Sequence, residues 1–163
     1  MQAPHDAMHR VTWALQTAKT VEKDQPPSVS VRVHIMTMSV RPGADRTQRQ
    51  EILDRWYREQ LRLEVPKPIA RWEQHLGVTI ERFFVCRMKT RWGSCNPATS
   101  SIRLNTDLAK KSARCLEYIV VHEMVHLLEP THNARFIALM DRYMPQWQER
   151  RQLLNRLPVR HED

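Results

Sequence analysis

The sequence predicts an α+β domain. Three observations carry this. Apolar and polar residues alternate through 28–40, and apolar residues recur in 78–88, as half-buried strands require. Apolar residues return at helical spacing through 47–64 and again after residue 115. The length, 163 residues, suits one domain around one core.

Taken in order, residues 1–27 form a poorly patterned N-terminal segment ending in Pro26-Pro27, and 28–163 form the structured domain. Ser28 to Val40 reads as one strand, with Val29, Val31, Val33 and Ile35 on one face and Ser30, Arg32, His34 and Met36 on the other. Arg41-Pro42-Gly43-Ala44-Asp45 makes a turn. A helix over Thr47–Glu64 carries Ile52, Leu53, Trp56, Tyr57 and Leu61 on its apolar face, and Pro66 and Pro68 interrupt it. A second helix holds Ile69, Trp72 and Leu76 and ends at Gly77. Val78–Met88 reads as a strand, Thr90–Pro97 as a loop and Ser101–Asn105 as a short strand. Further helices follow Cys115, cover Asn133–Tyr143 and cover Gln146–Leu157.

Composition bounds the class. Hydrophobic residues make up 41% and charged residues 27%, which is ordinary for a globular chain. No apolar run approaches a membrane span, so no membrane role is expected. Met1–Arg10 has no apolar core and is not expected to act as a signal peptide. Cys86, Cys95 and Cys115 match no paired-cysteine spacing and read as free thiols in a reducing, cytoplasmic setting. The net charge of +8 admits nucleic acid as a partner through a basic surface. Opposite charges one turn apart, such as Glu51 with Arg55 and Asp54 with Arg58, fit solvated helix faces instead.

The densest chemistry lies at His122-Glu123-Met124-Val125-His126, with His132 six positions later. This is an H-E-x-x-H motif. Residues four apart share a helical face, so two imidazoles can grip one ion, and Glu123 points beside it. Leu116, Ile119, Val120, Val121, Met124, Val125, Leu127 and Leu128 make the helix apolar, and polar groups buried there need partners. Pro130 ends the helix, so the chain turns and His132 can return as a third ligand, leaving a catalytic zinc one open position. Glu129, Asp141 and Glu149 are the other candidates for that third place. With zinc bound, Glu123 serves as general base for hydrolysis of a protein or peptide. Tyr143 and His75 are candidate oxyanion donors, and Trp92, Gly93 and Ser94 are candidate substrate-binding residues; a tight turn with Trp92 packed inside is the competing reading.

Several ordered motifs carry a family resemblance. Met88-Lys89-Thr90-Arg91-Trp92-Gly93-Ser94-Cys95, Ile102-Arg103-Leu104-Asn105, Tyr118 to Leu127, His132 and Met144-Pro145-Gln146-Trp147 follow one another as in the YgjP-like metallopeptidases. These are also described as DUF45 or M48-family proteins, with the SprT-like proteases as relatives. The resemblance covers Met36 to Leu157. It implies a minimal zincin-like fold, a small sheet on the metal helix with a substrate chain pairing to its edge. It also implies zinc on His122, His126 and His132, with Glu123 as catalytic base. Relatives have a longer strand-rich region before the part matching Met36, so the chain is expected to lack an N-terminal part of the family domain. Metzincins share the third-histidine spacing but place Gly where this chain has Glu129, so their turn geometry is not expected. Two other functions stay open: a DNA-associated protease of SprT-like kind acting on DNA-bound proteins, and a non-catalytic zinc-binding partner of a restriction-modification complex.

Overall fold

A computed structural model describes residues 18–32 and 35–156. Among them are six strands in two three-stranded sheets, five α-helices and one 3-10 helix. The first sheet has β1 (Ala18–Glu22), β2 (Ser28–Arg32) and β3 (Ile35–Val40) in the order β1-β3-β2. β1 lies within the stretch that shows no pattern in sequence. It pairs in parallel with β3.

The single strand expected over Ser28–Val40 is two strands. β2 and β3 pair antiparallel, with Arg32 opposite Ile35 and Val31 opposite Met36. The reversal changes which parity faces inward. Val29 and Val31 share a face with Met38 and Met36, whereas Ile35 points outward and is exposed. Val33 and His34, assigned to the same expected strand, lie outside the described residues.

α1 (Arg46–Glu64) starts with a capping box. The Asp45 carboxylate accepts from the Gln48 amide at 2.8 Å, and the Asp45 amide donates to Gln48 Oε1 at 3.0 Å. Val65 joins it to α2 (Pro66–Leu76), where proline in the first turn lacks only an N–H that has no helical partner there. Gly77 ends α2 in the left-handed region at φ 68°, as that position favours. The strand expected over Val78–Met88 shortens to β4 (Arg82–Cys86).

The second sheet has the order β4-β6-β5. β6 (Ser101–Asn105) pairs in parallel with β4 and antiparallel with β5 (Gly93–Asn96). β5 falls inside the expected loop Thr90–Pro97. It pairs on one side only, so it is an edge. The register places Gly93 opposite Leu104 and Cys95 opposite Ile102, so both face the core, while Ser94 shares the outer face with Arg103. The buried Asn105 side chain fixes the approach to β5. Its amide donates to the Met88 and Arg91 carbonyls, each at 2.8 Å, and its carbonyl accepts from the Asp107 amide. Every hydrogen-bonding group of that side chain that faces the loop therefore has a partner, as a buried amide requires.

The central helix is α3 (Ala113–Val125), capped by Ser112. It packs against β5, β6, α2, α4 (Ala134–Tyr143) and α5 (Trp147–Asn155). Leu116, Ile119, Val120, Val121, Met124 and Val125 are all buried, as their pattern predicts, whereas Leu127 and Leu128, expected in the same helix, lie beyond its end and are half-buried. A half-buried carboxylate ties three helices together: Glu117 accepts from Trp72 Nε1 at 3.1 Å and pairs with Arg150 at 3.2 Å.

Candidate metal centre

The three histidines converge. α3 ends at Val125, so His122 sits in its last turn and His126 at its C-cap. The chain turns through Pro130 and brings His132 back just before α4. His132 Nε2 lies 3.0 Å from His122 Nε2 and 3.1 Å from His126 Nε2. No other described group of three or more His, Cys, Asp or Glu side chains gathers in this way.

The donor set fits a metal ion. Two nitrogens bound to one tetrahedral zinc lie about 3.3 Å apart when each bond is about 2.0–2.1 Å. His126 Nδ1 donates to the Glu129 carbonyl at 3.0 Å, which leaves Nε2 with a free lone pair facing the other rings. Burial holds the His122 pKa down to about 3, with the neighbouring His126, His132 and Arg151 adding to the effect, and burial lowers His126 as well. Three imidazole nitrogens facing one another are costly without a shared partner, and a cation supplies it.

The other third-ligand candidates are engaged elsewhere. Glu129 accepts from the Thr131 hydroxyl at 3.0 Å and pairs with Arg135 at 3.5 Å. Asp141 accepts from Trp147 Nε1 at 2.7 Å. Glu149 is exposed in the first turn of α5.

Phe136 supports the cluster. Its ring is 1% exposed and lies against all three imidazoles, stacked on His126 at 4.5 Å and at 4.9 and 5.0 Å from His122 and His132. Its position four after His132, on the inner face of α4, is the hint that sequence reading passed over.

Glu123 is buried, 5% exposed, and lines the same cleft as the histidines. Burial raises its pKa to about 8, against a smaller opposing pull from Arg91. Gly93 of β5 lies so close that a Cβ there would stand 2.8 Å from Glu123 Oε1 and 3.0 Å from both Glu123 Cγ and Ile119 Cγ2. A close approach of backbone to a buried carboxylate demands glycine at this position. Cys95, on the same face of β5, is pushed up to about 11 by burial and by the Glu123 charge.

A cleft of about 640 Å³ opens over the histidines. Trp92, Gly93 and Ser94 line it, so the structure brings all three beside the cluster. Trp92 is half-buried, packs against the edge of the core and lines the cleft, and its Nε1 donates to Asn155 Oδ1 at 3.3 Å. Tyr143 and His75 are not brought here. Tyr143 is half-buried beneath the Arg142 guanidinium and His75 is exposed against Trp72. Tyr118, Arg91 and Arg151 line the cleft instead, and nothing local in the sequence marks Arg151 for that place.

The small sheet lying on a helix that carries two histidines and a buried glutamate defines a zincin-like metallohydrolase domain. The sequence profile of the YgjP-like metallopeptidase domain matches residues 7–157, and the chain belongs to that family. The match begins at residue 7, ahead of Met36, where the resemblance in sequence begins. No curated protein and no solved structure matches the chain.

Proposed function

We propose that this chain is a zinc-dependent peptidase that hydrolyses peptide bonds, with His122, His126 and His132 as metal ligands and Glu123 as general base. One observation carries the reading: three imidazole Nε2 atoms meet beside a buried carboxylate at the floor of an open cleft. Zinc, when bound, polarises a carbonyl and lowers the pKa of a water towards about 7.

The chain's own residues supply the remainder. Glu123 takes a proton from water at its carboxylate and gives it to the leaving amine. Its burial disfavours the charged form and so favours uptake of that proton. Gly93 lets β5 press against that carboxylate and keeps it in place. The free edge of β5 offers backbone groups along the cleft, which can pair with an extended substrate chain and orient it. Trp92 and Ser94 are the side chains that such a chain would pass.

Metal analysis with a cleavage assay tests the proposal. The purified chain should carry close to one zinc and cleave an unfolded protein. Chelation should abolish cleavage and added zinc should restore it. Cleavage that survives complete zinc removal would rule the reading out. The net charge of +8 favours a second reading, a protease that works on proteins held on DNA. That reading requires DNA binding that weakens steeply as salt rises.

A further inference from the structure

The cleft has a marked charge asymmetry. Glu123 is the one carboxylate among its described lining residues, and it sits at the floor. Arg91 stands just before the edge strand and Arg151 on α5, and both are exposed. Beyond Arg151 a groove continues along α5, lined by Trp147, Gln152, Asn155 and Arg156, with no carboxylate among its described lining residues. Arg151 and Asn155 belong to both the cleft and this groove, so the two are continuous.

We infer that Arg151 is a specificity residue that selects substrates with an acidic side chain close to the scissile bond, with Arg91 as a second cation on the edge-strand side. The inference rests on the peptidase reading and adds the substrate class. Arg151 lines the same cleft as His122, His126, His132 and Tyr118. No described carboxylate pairs with Arg151, in contrast to its neighbour Arg150, which is tied to Glu117. A guanidinium left open beside a binding cleft offers a planar fork that fits a carboxylate bidentately. An extended chain on β5 advances about 3.3 Å per residue, so side chains one or two places from the scissile bond fall within reach of a long arginine. A lysine at the same place meets like charge and loses hydration without a partner.

The test uses the zinc-loaded chain and two fluorogenic peptides that differ at one position beside the cleaved bond, Glu in one and Lys in the other, with that position moved through two residues on each side. The expected result is a kcat/KM ratio of about tenfold or more for Glu over Lys at one or more of these positions, tenfold being the factor that 1.4 kcal/mol provides. The ratio should shrink as salt rises. Arg151→Glu should invert it, and Arg91→Gln should reduce it. A ratio has no sensitivity to a general loss of activity, so partial damage to the fold does not mimic the effect. Equal cleavage of the Glu and Lys peptides by the wild type overturns this inference and leaves the peptidase reading intact. No cleavage of any peptide or unfolded protein by the zinc-loaded chain overturns both. A Glu preference unchanged in Arg151→Glu overturns the assignment to Arg151. If the peptides are cleaved equally while a short single-stranded oligonucleotide inhibits the wild type and fails to inhibit Arg151→Glu, the cations serve nucleic acid and the inference falls.

Discussion

Replacing Gly93 with alanine probes the tightest contact in the site. The added Cβ would stand 2.8 Å from Glu123 Oε1 and 3.0 Å from Glu123 Cγ and Ile119 Cγ2. Ordinary carbon contacts lie at about 3.5–4.0 Å, so something must move by about half an ångström or more. Ile119 and Glu123 are both on the buried face of α3, whereas β5 is an edge strand held on one side. Either the carboxylate turns away or β5 lifts outward; both separate the base from a substrate on the edge. Misplacement by about 1 Å can cost about 10²-fold in rate, and overpacking costs about 1–3 kcal/mol of stability. Gly93→Ala should therefore lose about 10–100-fold in kcat/KM on a fluorogenic peptide. Its zinc content should stay near wild type, because the three atoms nearest the new methyl belong to Glu123 and Ile119 and not to the imidazoles. Its Tm should fall by several degrees, at about 2–4 °C per kcal/mol for a chain of this size. Activity within about twofold of wild type would refute the claim that this contact positions Glu123.

Three further outcomes follow from the same geometry. Phe136→Ala removes the ring beneath all three imidazoles; it should cost about 3–5 kcal/mol in denaturant unfolding and weaken zinc binding measured by chelator competition. His132→Ala should weaken zinc and lower activity, with partial rescue by excess zinc, because His122 and His126 still hold the ion; unchanged zinc affinity would remove His132 from the ligand set. The metal-free chain should be most stable near pH 6–7 in thermal melts. Below about 6.5 the unfolded state protonates its histidines while native His122 and His126 resist, so acid destabilises; between about 6.5 and 8 the native state still holds the Glu123 proton that the unfolded state has lost, so stability falls as pH rises towards 8.

Legibility in the sequence followed the range of the interactions. The meeting of His122, Glu123 and His126 was readable because helical spacing alone puts them together, and the apolar run around them demanded burial. The end of α2 at Gly77 and the break at Pro66 were readable from local backbone chemistry. The division of 28–40 into two antiparallel strands left no turn signal in sequence, because no Gly, Asn or Asp stands between Arg32 and Ile35. The change of phase was nonetheless present, since Met36, Met38 and Val40 alternate on the parity opposite to Val29 and Val31. β5 hid within Gly-Ser-Cys-Asn, which has no strand preference and is held as a strand by its pairing to β6. β1 escaped for a similar reason, its parallel pairing to β3 leaving no local sign. Arg151 reaches the cleft through the packing of α5 on α3, which no window of sequence contains, whereas Phe136 lies against the imidazoles from a place four residues after His132.

The most direct measurement separates binding from chemistry. Glu123→Gln keeps the size and polarity of the side chain and removes the carboxylate that accepts the proton. Zinc content and hydrolysis of an unfolded protein should be measured on this variant beside the wild type. The variant should hold close to one zinc per chain and lose hydrolysis by about 10²–10⁴-fold, towards the upper end because the same group also returns the proton. Wild-type hydrolysis by a zinc-loaded Glu123→Gln chain would contradict the assignment of Glu123 as the base.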